Sequence, residues 1–183
     1  LGTLQHFYTL PLWTYVRFCL WEDALDEPKP ADDLKYPTGV WHFARGMALA
    51  HTGRPEEARV ELDELSRYAH DESLNDVTIW DLNTTRDLLL IAEQVLGAVV
   101  AEAGGDFSRA ETLLREAVHL EDSLEYDEPP SWFVPPRQRL GALLLRADEP
   151  AEAEAVYREE LAIYPDNGWS LLGLSQALKA QGK

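Results

Sequence analysis

Histidine and carboxylate side chains are the first candidates for chemistry in this chain, because both can ligate metals and both can move protons. His42 and His51 are nine positions apart, which puts them on opposite sides of a helix rather than at ligand spacing. His6, His70 and His119 fall in other segments, and no HExxH pattern occurs. The neighbours His70-Asp71, and His119 with nearby Glu121, are pairings that chance supplies readily in so acidic a chain. Cys19 is the only cysteine, so neither an internal disulfide nor a cysteine-based zinc site can form, which fits a reducing compartment. There is no nucleophile elbow, phosphate-cradling loop or dinucleotide fingerprint, and Gly104-Gly105 reads as a turn before a helix. The expectation is a non-catalytic chain with no cofactor and no metal.

Charge and aromatic residues say more. The chain has 16 Lys and Arg against 33 Asp and Glu, a formal net charge of -17. A field of that sign repels phosphate backbones and anionic lipid surfaces, so neither nucleic acid nor a membrane is an expected partner. The longest apolar run, Leu88 to Ala92, stops at Glu93, far short of the roughly 18 residues a spanning helix needs. Six tryptophans are many for 183 residues. Trp21 and Trp41 read as fillers between helix layers. Trp132-Phe133-Val134 lies among prolines that forbid a helix, and it either plugs a gap between helices or offers an exposed anchor.

The elements that must position these residues come from an internal repeat. Thr52 to Ala58, Gly104 to Ala110 and Ala147 to Ala153 share one layout, a polar turn, then an acidic or polar first helical turn, then alanine. Cys19 to Ala24 is a fourth copy. Acidic residues and proline suit a helix start, where the dipole is positive and an N–H has no partner. Twelve residues before the alanines stand Leu12, Gly46, Ala98 and Gly141, mostly small, which lets two antiparallel helices approach closely. Leu62, Leu114 and Tyr157 follow four residues after the last three alanines, on the same face. The spacing predicts helices over about 4–18, 21–27, 38–52, 55–70, 83–103, 107–122, 136–147, 150–163 and 168–181, with no strands. Both chain ends read as cut, with the first repeat uncapped and the last helix unpaired.

Ala24 and Ala58 are 34 residues apart, as are Gly141 and Ser175. In that period, and in its small residues and turns, the chain resembles the tetratricopeptide repeat. Gln138 to Arg146 and Asn167-Gly168-Trp169 look like C-terminal parts of bacterial proteins of that family, which brings no assigned activity. The resemblance implies an all-α, right-handed α–α superhelix with about four and a half helical hairpins, near 4–30, 38–70, 83–122 and 136–165, with a final helix over 168–181. Departures are the longer alanine spacings after Ala58 and Ala110, absorbed by irregular segments over 70–87 and 121–136, and Glu160 where the motif prefers a small residue.

In such arrays the first helices of successive pairs line a concave groove that binds peptides or helices. Carried over by phase, the resemblance assigns that lining to His6, Thr9, Trp13 and Arg17, then Phe43, Met47 and His51. Gln138, Ala142 and Arg146 follow, with Trp169, Gln176 and Lys179 from the last helix. Its cations would draw an acidic or carboxylate-bearing segment, or else merely pair with Glu102 or Asp148. Co-chaperones of this family that clamp acidic chaperone tails need Lys and Asn where this chain has Thr9, Trp13 and Ala44, so that clamp is absent. The expected function is therefore a scaffold or adaptor that holds a peptide or helix of another protein. Two alternatives stay open: a small-ligand or sensor domain with a pocket closed by the 70–87 and 121–136 insertions, and a structural module that self-associates through its ends.

Overall fold

The computed structural model describes residues 2–183 and is all-α, apart from one minimal β-hairpin. Its helices are α1 (Gly2–Tyr8), α2 (Leu10–Arg17), α3 (Trp21–Asp26), α4 (Lys35–His51), α5 (Pro55–Ala69), α6 (Thr85–Ala103), α7 (Phe107–Asp122), α8 (Pro136–Arg146), α9 (Pro150–Ile163) and α10 (Gly168–Ala180). The helix expected over 4–18 is divided at Thr9. Pro11 has no N–H to offer the preceding turn, so the ladder is interrupted just where it would cross from α1 to α2. Thr9 closes the gap with its hydroxyl, which donates to the His6 carbonyl at 2.7 Å. α4 begins three residues earlier than expected, because Pro37 sits in a first turn whose N–H groups need no intrahelical partner.

The expectation of no strands needs correcting. Thr78–Ile79 pairs antiparallel with Asn83–Thr84, next to a 3-10 turn over Glu72–Asp76. Trp80 and Asp81 adopt φ of 55° and 60°, the left-handed geometry that reverses a tight hairpin. This insertion is not loose, since Ile79 and Leu74 are buried and Asp71 both caps the 3-10 turn and pairs with Lys35 at 2.6 Å.

One turn geometry recurs along the chain. Cys19 (φ 56°), Gly53 (φ 80°), Gly105 (φ 82°) and Asp148 (φ 61°) each stand five residues before a fully buried alanine, at 24, 58, 110 and 153. In each case the next amide bonds back to the carbonyl five residues earlier. The pairs are Leu20 to Tyr15 at 2.8 Å, and Arg54 to Leu49, Asp106 to Ala101 and Glu149 to Leu144 at 2.9 Å. This is the Schellman closure, which satisfies orphan carbonyls of the ending helix and turns the chain into the next one. Lys183 and Gly182 (φ 73°) repeat it after α10.

Helices adjacent in sequence pack side by side: α4 on α5, α6 on α7, α8 on α9 and α9 on α10, with α5 also on α6 and α7 on α8. α6 is apolar on most of its circumference and is correspondingly buried, belonging to both core clusters. One cluster joins α2, α4, α5 and α6 with Trp132, and the other joins the end of α6 to α7, α8, α9 and α10.

Close approach in the second cluster depends on two glycines. A Cβ on Gly141 of α8 would lie 2.5 Å from the Tyr157 ring, and one on Gly173 of α10 only 2.2 Å from it. Tyr157, on α9, thus has its ring pressed between two bare backbones. Gly141→Ala should therefore destabilise by about 1–3 kcal/mol through overpacking, outweighing the gain of about 1 kcal/mol in helix propensity. Adding Tyr157→Leu should recover part of the loss in thermal melts. A rise in Tm for Gly141→Ala alone would contradict the packing account.

Candidate functional site

The Pro-rich segment decides which part of the expected groove remains open. Trp132 is 3% exposed and packs edge-on against Trp13 at 5.0 Å and tilted against Phe43 at 5.8 Å. Phe133 stacks on the His6 ring at 5.2 Å. Of the two roles expected for Trp132-Phe133, the plug is the one found. Its indole N–H donates to the Val134 carbonyl at 2.7 Å, so the plug satisfies its own polar atom.

Five residues assigned to the groove are interior. His6, Thr9, Trp13, Phe43 and Met47 are all buried, and no partner can reach them in this conformation. The polar members serve one another. His6 Nδ1 pairs with the Tyr36 hydroxyl at 2.7 Å, and the Trp13 indole N–H donates to Thr9 Oγ1 at 3.0 Å. Burial pushes the His6 imidazole down to about 4, against a weaker opposing pull from Asp127. Gln176 and Lys179 are exposed on α10, outside the cleft described next.

The other five assigned residues, Arg17, His51, Gln138, Arg146 and Trp169, meet in one cleft of about 650 Å³, whose wall also includes Ala142. They arrive from α2, α4, α8 and α10, and the plug supplies Val134 and Pro135 to the same wall. The Arg17 guanidinium lies 4.3 Å from the centre of the Trp169 ring, and its Nη1 donates to Gln138 Oε1 at 2.8 Å. Gln138 is oriented from below, because its amide nitrogen donates to Glu160 Oε1 at 3.2 Å. Arg146 pairs with Glu102 at 2.5 Å, the pairing the sequence offered as an alternative to partner binding.

Arg139 is the residue that phase assignment missed. It lines the same wall, and its Nη1 approaches His51 Nε2 at 3.4 Å. For that bond the imidazole must accept, so Nε2 is unprotonated. Desolvation, with Arg139 and Arg146 close by, pushes His51 down to about 4 and keeps it neutral. A face of its ring stacks on Trp21 at 4.7 Å. Positions 139, 142 and 146 follow helical spacing along one face, which was the available signal for Arg139.

Behind the cleft lies a partly buried ionic cluster. Arg137 donates to both Asp122 oxygens at 2.8 and 2.5 Å and lies 3.6 Å from Glu121. Glu160 is fully buried, with Oε2 lacking a hydrogen-bond partner. Burial, followed by the charge of Glu160, raises the Glu121 carboxyl to about 8, and burial raises Glu160 as well. Glu160, a glutamate where a small residue was expected, is thus the support beneath Gln138.

The 70–87 insertion packs on α1 and α6 and takes no part in the cleft wall. It meets the other insertion through Asn83, whose side chain exchanges two 2.8 Å hydrogen bonds with the Glu125 backbone. Of the two insertions, only the second contributes to the cleft wall. Among the described residues no three His, Cys, Asp or Glu side chains gather as metal ligands, and no helix is long and apolar enough to cross a membrane. No family model matches the chain, and neither the curated proteins nor the solved structures searched contain a match.

A carboxyl whose native pKa is raised penalises the folded state above its unfolded value, here over the range from about 4.5 to about 8. Glu121→Gln is therefore expected to raise Tm at pH 9 and to change it little at pH 5, where the native carboxyl is already neutral. His6 acts in the opposite sense, withdrawing stability as pH falls from 6.5 toward 4. Circular-dichroism melts at the two pH values test the glutamate, and equal shifts at both would mean that Glu121 is not held protonated.

Proposed function

We propose that this chain is a non-catalytic binding module of the tetratricopeptide type, with its helix pairs stacked as a right-handed superhelix. In this reading it holds a segment of another protein in the cleft between α2, α4, α8 and α10. The observation that carries the reading is convergence. Arg17, His51, Gln138, Arg146 and Trp169 are separated by up to 152 positions in the sequence, yet they line one open cavity. Aromatic and arginine side chains of this kind are the usual anchors of binding surfaces. The recurring left-handed turn, five residues before each buried alanine, supports the repeat assignment independently of composition.

The plug restricts the ligand to the half of the groove it leaves open. An occupant needs only a short extended segment or a single helical turn there, since the deep half already contains Trp132 and Phe133. A small-molecule ligand is the second reading, favoured by Val134 and Pro135, through which the 121–136 insertion walls the cleft. A structural role through self-association has no comparable support.

Panning a random peptide library on the immobilised protein separates the two. The protein-segment reading expects enriched peptides whose affinity falls at least tenfold on Trp169→Ala or Arg146→Glu, with Tm nearly unchanged. Both side chains are about half exposed, so their loss costs the fold little. Peptides that bind both variants as well as the parent would place binding elsewhere. A metabolite that raises Tm while no peptide enriches would favour the small-ligand reading.

A further inference from the structure

Taking the cleft as the binding site, we propose that it recognises an oxyanion, a carboxylate or phosphate group, gripped by Arg139 between Arg17 and Arg146. In a chain carrying a formal charge of -17, three arginines and one carboxylate, Glu102, face this cavity. The local balance is thus the reverse of the global one. Like charges brought together in a confined wall repel one another, and such an arrangement is relieved by an anion.

The partners of the three arginines are unequal. Arg146 has Glu102 at 2.5 Å, whereas Arg17 and Arg139 hydrogen-bond only to neutral groups, with Glu160 acting on Arg17 and Glu102 on Arg139 through longer-range charge. Arg17 has the Gln138 amide oxygen and the Trp169 ring, and Arg139 has the imidazole of His51 at 3.4 Å. A guanidinium carries five N–H groups in a planar fork, so Arg17 and Arg139 each keep most of their donors uncommitted. That fork matches the paired oxygens of carboxylate and phosphate.

The supports fix these donors in place. Stacking on Trp169 holds Arg17, the Trp21 stack holds His51 against Arg139, and Glu160 fixes the amide of Gln138 that receives Arg17. Neutral His51 matters here because a protonated ring would present an N–H to Arg139 instead of a lone pair. The helix-borne Lys and Asn of chaperone-tail clamps have no counterpart in this arrangement, which is built from arginines on α2 and α8.

The test titrates the whole chain with inorganic phosphate, with citrate, and with a short peptide ending in two aspartates. Ionic strength is matched with sodium chloride, and Tm and tryptophan fluorescence are read. At least one probe is expected to raise Tm dose-dependently where chloride does not, and the responding probe identifies the oxyanion source. Arg139→Gln should weaken that response tenfold or more, Arg139→Lys less, and Arg109→Gln, on α7 and outside the cleft lining, not at all. An undiminished response in Arg139→Gln, or no response to any of the three probes, overturns the proposal. Library peptides that bind without any oxyanion response would likewise remove this inference while leaving the binding-module reading standing. Oxyanion binding without peptide capture would do the reverse.

Discussion

Burial of the Trp132 ring against Trp13 and Phe43 is the contact on which the rest of the molecule depends. It draws a segment that cannot be helical into the space between the N-terminal helices and α8, and covers an aromatic face that would otherwise be wet. A buried tryptophan of this kind stabilises by several kcal/mol, on the order of the 3–5 kcal/mol lost when such a side chain is truncated. The same contact sets the direction in which α8 starts. Pro135 and Pro136 follow directly, and from that start come Arg137, Gln138 and Arg139, each committed to a different layer. Arg137 faces the Asp122 and Glu121 carboxylates, Gln138 bridges Glu160 and Arg17, and Arg139 faces the cleft. Three consecutive residues thus connect the interior, the support and the open wall.

The helical framework was legible because its signals are local. Pro55, Pro136 and Pro150 mark helix starts, and Gly53 and Gly105 permit the left-handed turn that ends the helix before. Cys19 and Asp148 adopt that turn without being glycine, and their place was found only by phase with the other copies. What was not legible was set at long range. Asn83 reads as an ordinary loop residue until its two bonds to Glu125, forty-two positions away, are seen. The division at Thr9 was within reach, since Pro11 announces it.

The site was half legible for a physical reason. Phase along a helix says which residues share a face, and Arg17, His51, Gln138, Arg146 and Trp169, grouped that way, line one cavity. It does not say whether something else in the chain already covers that face. His6, Thr9, Trp13, Phe43 and Met47 satisfy the same periodicity and are interior, the plug packing directly on His6, Trp13 and Phe43. Five consecutive residues, Ser131 to Pro135, account for the difference, and whether they would insert or project depended on a fit that periodicity does not encode.

The Tyr157 ring, held between the backbones at Gly141 and Gly173, ties three distant positions into one steric unit. Drift at any one of them is constrained by the other two. In a lineage descended from a common ancestor with this chain, a smaller residue at 157 would have to precede or accompany side chains at 141 and 173. The three columns should therefore covary as a set, giving an evolutionary signature of this helix stack.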